Sequence, residues 1–141
     1  MTVLLLDTNV LSELIKATTE PRVLAVLTRT PLAEIFVPAM AIAEIAYGIE
    51  RLPRGARRTE IARRARDVID HYFAGQAIAF DERIAWEAGR VRAERRALGR
   101  ADDLADDIVA ATARLRGLTL ATRNTKDFGG LGLRLMDPWR G

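Results

Sequence analysis

Acidic residues stand at the end of a short apolar segment, at the start of a predicted helix and in a predicted loop. Asp7 directly follows a run of aliphatic residues, Asp106 lies in the opening turns of a predicted helix, and Asp127 lies in a polar loop. Glu44 stands within the otherwise apolar segment 39–46, where an acid is expected to point inward or into a cleft. Carboxylates that meet in one crevice repel one another and favour a bound cation. The chain has no Cys and one His, so such a cation would have oxygen ligands, which suits Mg²⁺ or Mn²⁺.

Strands alternate with helices along the whole sequence. Short apolar or β-rich runs predict strands, and apolar residues at helical spacing, closed by glycines, predict helices. The predicted strands are 3–6, 34–37, 77–80, 118–121 and 133–136, and the predicted helices begin near 10 and span 22–30, 39–51, 56–74, 82–98 and about 103–116. This alternation predicts an α/β fold, a three-layer α/β/α sandwich around a central, mostly parallel sheet.

The carboxyl ends of parallel strands meet at one edge of the sheet, where ligands bind in such folds. Asp7, Thr8 and Asn9 follow the first predicted strand, and Thr122, Asn124 and Asp127 follow the fourth. We therefore expect these side chains to lie close together.

The length of 141 residues, with 49% hydrophobic and 29% charged residues, predicts one globular domain, 1–141. Neither a membrane span of about 18 apolar residues nor the pattern of a signal peptide is found, so we expect no membrane association and a cytoplasmic location.

The charges are segregated along the chain. The formal net charge is +3, and 20 of the 22 basic residues are Arg, with seven between Arg51 and Arg66 and five between Arg90 and Arg100. The segment 101–107 then carries four Asp and no base. Basic stretches favour a polyanionic partner, because Arg binds phosphate in bidentate fashion, but they are also typical of solvated helix faces.

Four segments resemble, in order, the four signatures of PIN-domain nucleases, and they are most similar to those of the VapC and FitB-like toxins. The segments are DTNVLSE at 7–13, AEIAYGI at 43–49, ADDIVAATA at 105–113 and LATRNTKDF at 120–128. The resemblance spans nearly the whole chain. It implies a PIN-like fold and a Mg²⁺- or Mn²⁺-dependent ribonuclease, an endoribonuclease that acts as the toxin of a type II toxin–antitoxin system.

The resemblance also implies roles for individual residues. The catalytic acids would be Asp7, Glu44 and Asp106, with Asp127 as the fourth. Asp7 and Asp106 would hold the metal, directly or through water, while Glu44 takes a further ligand position or positions the attacking water. The residues that would orient these groups are Thr8, Asn9 and Thr122, together with Asn124, which stands where many members have an acid and can contact the metal through water.

The implied partners are an RNA substrate, a small antitoxin of the VapB or FitA type, operator DNA reached through that antitoxin, and a second copy of the chain in a homodimer. Arg90, Arg92, Arg95, Arg96 and Arg100 could guide RNA phosphates or form a solvated helix face. Asp107 is expected to be exposed to solvent, because a 100° step around the helix separates it from Asp106.

Two alternatives follow from the same residues. A non-catalytic nucleic-acid-binding module with a structural Mg²⁺ site would need the same basic stretches and acids. A phosphatase of the haloacid-dehalogenase type would need an acid two residues after Asp7, where this sequence has Asn9, which cannot act as a general acid.

Overall fold

Five short strands form one fully parallel sheet in the computed structural model, which describes residues 2–140. The strands are β1 (Leu4–Leu6), β2 (Ile35–Pro38), β3 (Ala77–Ile78), β4 (Thr119–Ala121) and β5 (Leu135–Met136), in the order β3-β2-β1-β4-β5. The predicted α/β class and parallel sheet are confirmed. Of the expected domain 1–141, Met1 and Gly141 lie outside the described residues.

Seven α-helices connect the strands in the described part of the chain. They are α1 (Thr8–Ile15), α2 (Pro21–Thr28), α3 (Ala39–Glu50), α4 (Ala56–Arg66), α5 (Glu82–Ala97), α6 (Leu104–Arg116) and α7 (Thr125–Phe128), and a 3₁₀ turn covers Leu32–Glu34. Local signals explain the helix ends. The Asp81 carboxylate accepts a 3.0 Å hydrogen bond from the Ile84 N–H at the start of α5, and Gly117, with φ +67°, ends α6.

Two local predictions differ from the structure. The single helix expected over 56–74 is α4 followed by a π-helical turn, Asp67–Tyr72. The wider turn lets the Phe73 N–H donate to the Val68 carbonyl and brings the Phe73 ring into the core. The polar loop expected around Asp127, between the predicted strands 118–121 and 133–136, contains the short helix α7.

The sheet lies between two helical layers, as its side chains show. Leu4 and Leu6 of β1 pack in a core with α1 to α4, whereas Leu5 points to the opposite face and packs with α5 and α6. The predicted three-layer arrangement is therefore confirmed. Over residues 2–140, no helix is long and apolar enough to cross a membrane.

The chain reverses its direction across the sheet at β1, which lies between β2 and β4. The carboxyl ends of β1 and β4 are therefore adjacent, and the Asp7 N–H donates to the Ala121 carbonyl at 2.9 Å. Crevices of this kind are the usual ligand sites of open parallel sheets.

Candidate active site

An open cleft of about 400 Å³ lies at the carboxyl end of the central strands. It brings together all four predicted catalytic acids and three of the four predicted orienting residues. Its lining residues are Asp7, Thr8, Asn9, Ser12, Glu44, Asp103, Asp106, Asn124 and Asp127. The fourth orienting residue, Thr122, does not line the cleft but is buried behind Asp7.

Asp7 is the deepest acid of the cleft and is 5% exposed. It caps the start of α1, where its Oδ1 accepts the Thr8 N–H at 2.9 Å. Its Oδ2 accepts the Thr122 hydroxyl at 2.7 Å and the Asn9 side-chain amide at 3.4 Å. Burial raises the pKa of Asp7 above its ordinary value, against the opposing effect of the hydrogen bonds from Thr122 and Thr8.

Glu44 reaches the cleft from α3 and is held by α1. The Thr8 hydroxyl donates a 2.5 Å hydrogen bond to Glu44 Oε1. Within residues 2–140, no base forms an ion pair with Glu44, in agreement with its apolar sequence neighbourhood. Thr8 thus contacts two of the predicted acids, Asp7 through its backbone and Glu44 through its side chain.

Asp106 extends from the first turn of α6 and is about a quarter exposed. Burial raises its pKa to about 7, and the nearby Asp103 and Asp7 carboxylates add to the effect, while Arg95 opposes it. Burial is the main cause of this shift, and the contributions of Asp103 and Asp7 show that other carboxylates lie close to Asp106 in the cleft.

Asp103 is a cleft residue that the sequence did not single out. It is the N-cap of α6, with φ −149° and ψ 99°, and its Oδ1 accepts the Asp106 N–H at 3.0 Å. The sequence predicts that the helix begins at about residue 103, but Asp103 precedes α6 and lines the cleft beside Asp106. The signal that could have found it is the Asp three residues ahead of a helical acid, typical of an N-cap. Ser12, one turn after Thr8 on α1, was missed as well.

Asn124 and Asp127 close the side of the cleft that follows β4. The Asn124 N–H donates to the Thr122 hydroxyl oxygen at 3.0 Å, which ties the loop to the Asp7 network. The Asp127 N–H donates to the Asn124 carbonyl at 3.0 Å in α7, and the Arg100 guanidinium donates to the Asp127 carbonyl at 3.1 Å. Hydrogen bonds at Asn124 and at Asp127 thus hold both ends of the loop that carries Asp127, the predicted fourth acid.

Two expectations near Asp106 are wrong. Asp107 is fully buried instead of exposed, because α6 turns this side chain toward α5. There Arg95 Nη1 donates to Asp107 Oδ1 at 2.9 Å. Arg95 is only 5% exposed, so it neither belongs to a solvated face nor is free to contact phosphates, unlike the exposed Arg90 and Arg96.

The donor set of the cleft fits a hard divalent cation. The acids present carboxylate oxygens only, and their mutual repulsion, which adds to the effect of burial on the pKa of Asp106, favours positive charge between them. Within residues 2–140, no three Asp, Glu or His side chains are already grouped around one point. A cation bound here would be held by the Asp7 and Asp106 carboxylates together with water, as is usual for Mg²⁺.

Comparison with known proteins identifies the family. The PIN domain family matches residues 4–130. The chain belongs to the PIN domain family. This match covers the sheet from β1 to β4 and every acid of the cleft.

Relatives of this PIN domain are similar over almost their whole length. The chain is 33% identical to VapC ribonuclease Y4jK of Sinorhizobium fredii, and the alignment covers 96% of the chain and 97% of the relative. It is also 33% identical to Toxin FitB of Neisseria gonorrhoeae, over 96% and 98%. A solved structure of FitAB bound to an IR36 DNA fragment superposes with a TM-score of 0.86 at 32% identity, over 96% of this chain and 95% of that one. The PIN domain is therefore of the VapC and FitB toxin type.

Proposed function

We propose that this PIN domain is a divalent-metal-dependent endoribonuclease and the toxin of a toxin–antitoxin pair. The observation that carries the proposal is the convergence of Asp7, Glu44, Asp106 and Asp127 on one open cleft. The similarity to a relative named a VapC ribonuclease and to one named Toxin FitB supports this reaction and this role.

Mg²⁺ or Mn²⁺ is the proposed cofactor, held by Asp7 and Asp106. When bound, such a cation offsets charge on the scissile phosphate and lowers the pKa of the attacking water. Thr122 and Asn9 fix the Asp7 carboxylate through their hydrogen bonds to Oδ2. The orientation of this carboxylate is therefore set before substrate binds.

Glu44 is the proposed group that orients the attacking water. Its Oε1 is held by the Thr8 hydroxyl, while the remaining carboxylate oxygen is not engaged in a hydrogen bond with a described residue and can accept a proton. Asp127, which lines the same cleft together with Asn124, would act on the same phosphate or on water bound there.

RNA is the proposed substrate, and exposed cationic and aromatic side chains follow residues of the cleft or their neighbours along the chain. Arg123 follows Thr122, is exposed, and its guanidinium lies 4.8 Å from the centre of the Trp139 ring. Tyr47, one helical turn beyond Glu44 on α3, is also exposed. Stacking on aromatic rings and contacts with Arg are typical ways of holding single-stranded RNA.

The proposed partners are an antitoxin of the VapB or FitA type, operator DNA contacted through that antitoxin, and a second copy of the chain in a homodimer. The similarity to Toxin FitB and to the solved FitAB on DNA supports them. We further propose that residues 1–141 form a single PIN-like domain, and an RNA substrate agrees with a cytoplasmic site of action.

The test is cleavage of a panel of single-stranded and structured RNAs by the wild type and by four variants. These are Asp7→Asn, Glu44→Gln, Asp106→Asn and Asp127→Asn, each assayed with Mg²⁺, with Mn²⁺ and with EDTA. The matched control is Asp102→Asn, because Asp102 is an exposed acid of the same segment that pairs with Arg92 outside the cleft.

We expect metal-dependent cleavage that the cleft variants lose by at least a hundredfold and that Asp102→Asn retains. Cleavage that survives the Asp7, Glu44 and Asp106 substitutions would overturn the proposal. A wild-type protein that binds RNA and metal but cleaves neither the single-stranded nor the structured RNAs would instead support a non-catalytic nucleic-acid-binding module.

A further inference from the structure

Arg95 occupies a position that the pattern of α5 reserves for an apolar side chain. The buried residues of α5 are Ile84, Ala88, Val91 and Arg95, which follow one another at steps of four, three and four. Arg95 is thus the last member of the stripe that packs α5 against α6. A guanidinium placed there loses its hydration and needs compensation from the residues around it.

The compensation comes from the N-cap and the first turn of α6. Arg95 Nη1 donates to Asp107 Oδ1 at 2.9 Å and to the Asp103 carbonyl at 3.3 Å. Arg95 Nη2 lies 3.7 Å from Asp106 Oδ2, beyond hydrogen-bond distance. One guanidinium therefore lies between two neighbouring carboxylates and is bound closely to only one of them.

The pair is not optimised for stability. Arg95 Nε and Asp107 Oδ2 are buried and have no hydrogen-bond partner among the residues that the structure describes. Buried ion pairs often contribute no more than a packed apolar pair, and each unsatisfied polar atom lowers stability further. The pair therefore calls for an explanation beyond stability.

The location of Arg95 supplies that explanation. Among residues 2–140, it is the one base within 4.0 Å of a carboxylate of the cleft. A guanidinium that moved fully onto Asp106 would form a bidentate ion pair and occupy the oxygens that the proposed cation needs. The shorter contact of the guanidinium, 2.9 Å against 3.7 Å, is with Asp107, which is completely buried.

We propose that Asp107 is a positioning residue that keeps Arg95 from neutralising Asp106, so that Asp106 stays available to a divalent cation. The inference rests on the proposed function in that Asp106 contributes to metal binding. It adds a residue outside the cleft that controls how strongly the cleft binds its cation.

The test is Mn²⁺ binding by isothermal titration calorimetry, with free Mn²⁺ measured independently by electron paramagnetic resonance. Asp107→Asn keeps the shape of the side chain and removes its charge, so Arg95 shifts onto Asp106. We expect the Kd for Mn²⁺ to rise at least tenfold, and the Mn²⁺ concentration for half-maximal RNA cleavage to rise with it. The matched control is Asp102→Asn, which removes an equal charge from an exposed ion pair and should change the Kd less than twofold.

The double variant Arg95→Met with Asp107→Asn decides between positioning and mere structural support. With the competing guanidinium removed, we expect Mn²⁺ affinity to return to within about threefold of the wild type. A purely structural pair would make the double variant no better than the single one. Circular dichroism and thermal melts of each variant check the fold. If the double variant does not fold, it is replaced by Arg95→Met with Asp107→Leu, an apolar pair of similar volume.

The inference would be overturned if the Asp107→Asn variant bound Mn²⁺ with wild-type affinity. It would also be overturned if the folded double variant did not recover Mn²⁺ affinity. The metal site of the proposed function is tested separately by Asp106→Asn and by cleavage. Wild type that binds Mn²⁺ without cleaving RNA would refute the ribonuclease proposal alone, whereas wild type that binds no Mn²⁺ would refute both.

Discussion

The Thr122 hydroxyl donates a 2.7 Å hydrogen bond to Asp7 Oδ2 and joins two residues 115 positions apart in the chain. Both residues are buried, at the ends of the adjacent strands β4 and β1. The same hydroxyl oxygen accepts the Asn124 N–H at 3.0 Å. One hydroxyl thus connects the deepest acid of the cleft with the loop that carries Asp127.

Thr122→Val removes this hydroxyl with little change in volume. We expect Mn²⁺ affinity and RNA cleavage to fall by about 10–100-fold, the effect typical of losing a group that orients a metal ligand. Calorimetry and cleavage kinetics measure the two effects. The matched control is Thr112→Val, because the Thr112 hydroxyl is also buried but donates to the Ile108 carbonyl within α6. Equal losses in both variants would contradict the assigned role of Thr122.

Thr8→Val is expected to lower the kcat of RNA cleavage about tenfold, because Glu44 loses the hydroxyl that fixes its Oε1. Thr8→Ser keeps the hydroxyl and should retain most of the activity. Since the loss acts through Glu44, Thr8→Val should have little further effect in a Glu44→Gln background. An equal effect in both backgrounds would show that Thr8 acts elsewhere.

The metal-free protein should lose stability as the pH rises from 5 to 7.5. The folded-state pKa of Asp106, about 7, lies above its ordinary value of 3.8, and that of Asp7 is raised as well. Between these values the folded chain binds more protons than the unfolded chain, so the free energy of unfolding decreases with rising pH. Each unit of difference between the folded and unfolded pKa corresponds to about 1.4 kcal/mol of unfolding free energy. Because Asp106 is partly exposed, we expect a total loss of stability on the order of 2 kcal/mol.

Urea unfolding at several pH values, in the presence of EDTA, measures this dependence. The surface acids Glu87 and Glu94 have lowered pKa values through their contacts with Arg114, so their stabilisation is lost only below their ordinary pKa of 4.5, outside the window. Asp106→Asn should remove most of the slope, and Mg²⁺ should restore stability at pH 7.5. A stability that increases from pH 5 to 7.5 in EDTA would contradict the assignment.

Arg114→Met is expected to destabilise the fold by about 2 kcal/mol while leaving cleavage per folded molecule unchanged. Arg114 lies on α6, its Nε donates to Glu87 at 2.8 Å, and its two terminal nitrogens donate to both Glu94 oxygens on α5 at 2.8 Å. Thermal and urea unfolding measure the loss. The control is Arg63→Met on α4, whose contacts with Glu60 and Asp67 are exposed and should contribute little.

Much of the fold was readable in local sequence patterns. The aliphatic run before Asp7 forms β1, Asp81 caps α5, and Gly117 ends α6, because strand periodicity, caps and left-handed glycines act over a few residues. The placement of Asp7 and Asp127 after the first and fourth predicted strands predicted that they lie close together, since parallel strands gather their carboxyl ends at one edge. The wider turn before Phe73, whose ring is buried in the core, and the short helix α7 in the predicted loop departed from the local pattern.

The amino-acid sequence by itself determined the order of the elements, four of the five acids of the cleft and the family resemblance. Tertiary structure alone decided that Asp103 faces the cleft, that Asp107 turns inward, and that Arg95 is buried between α5 and α6. The physical reason is the 100° that each residue turns around a helix axis. A shift of one residue in a helix start moves a side chain from solvent to core, and only the packing of α5 on α6 fixes which face is covered.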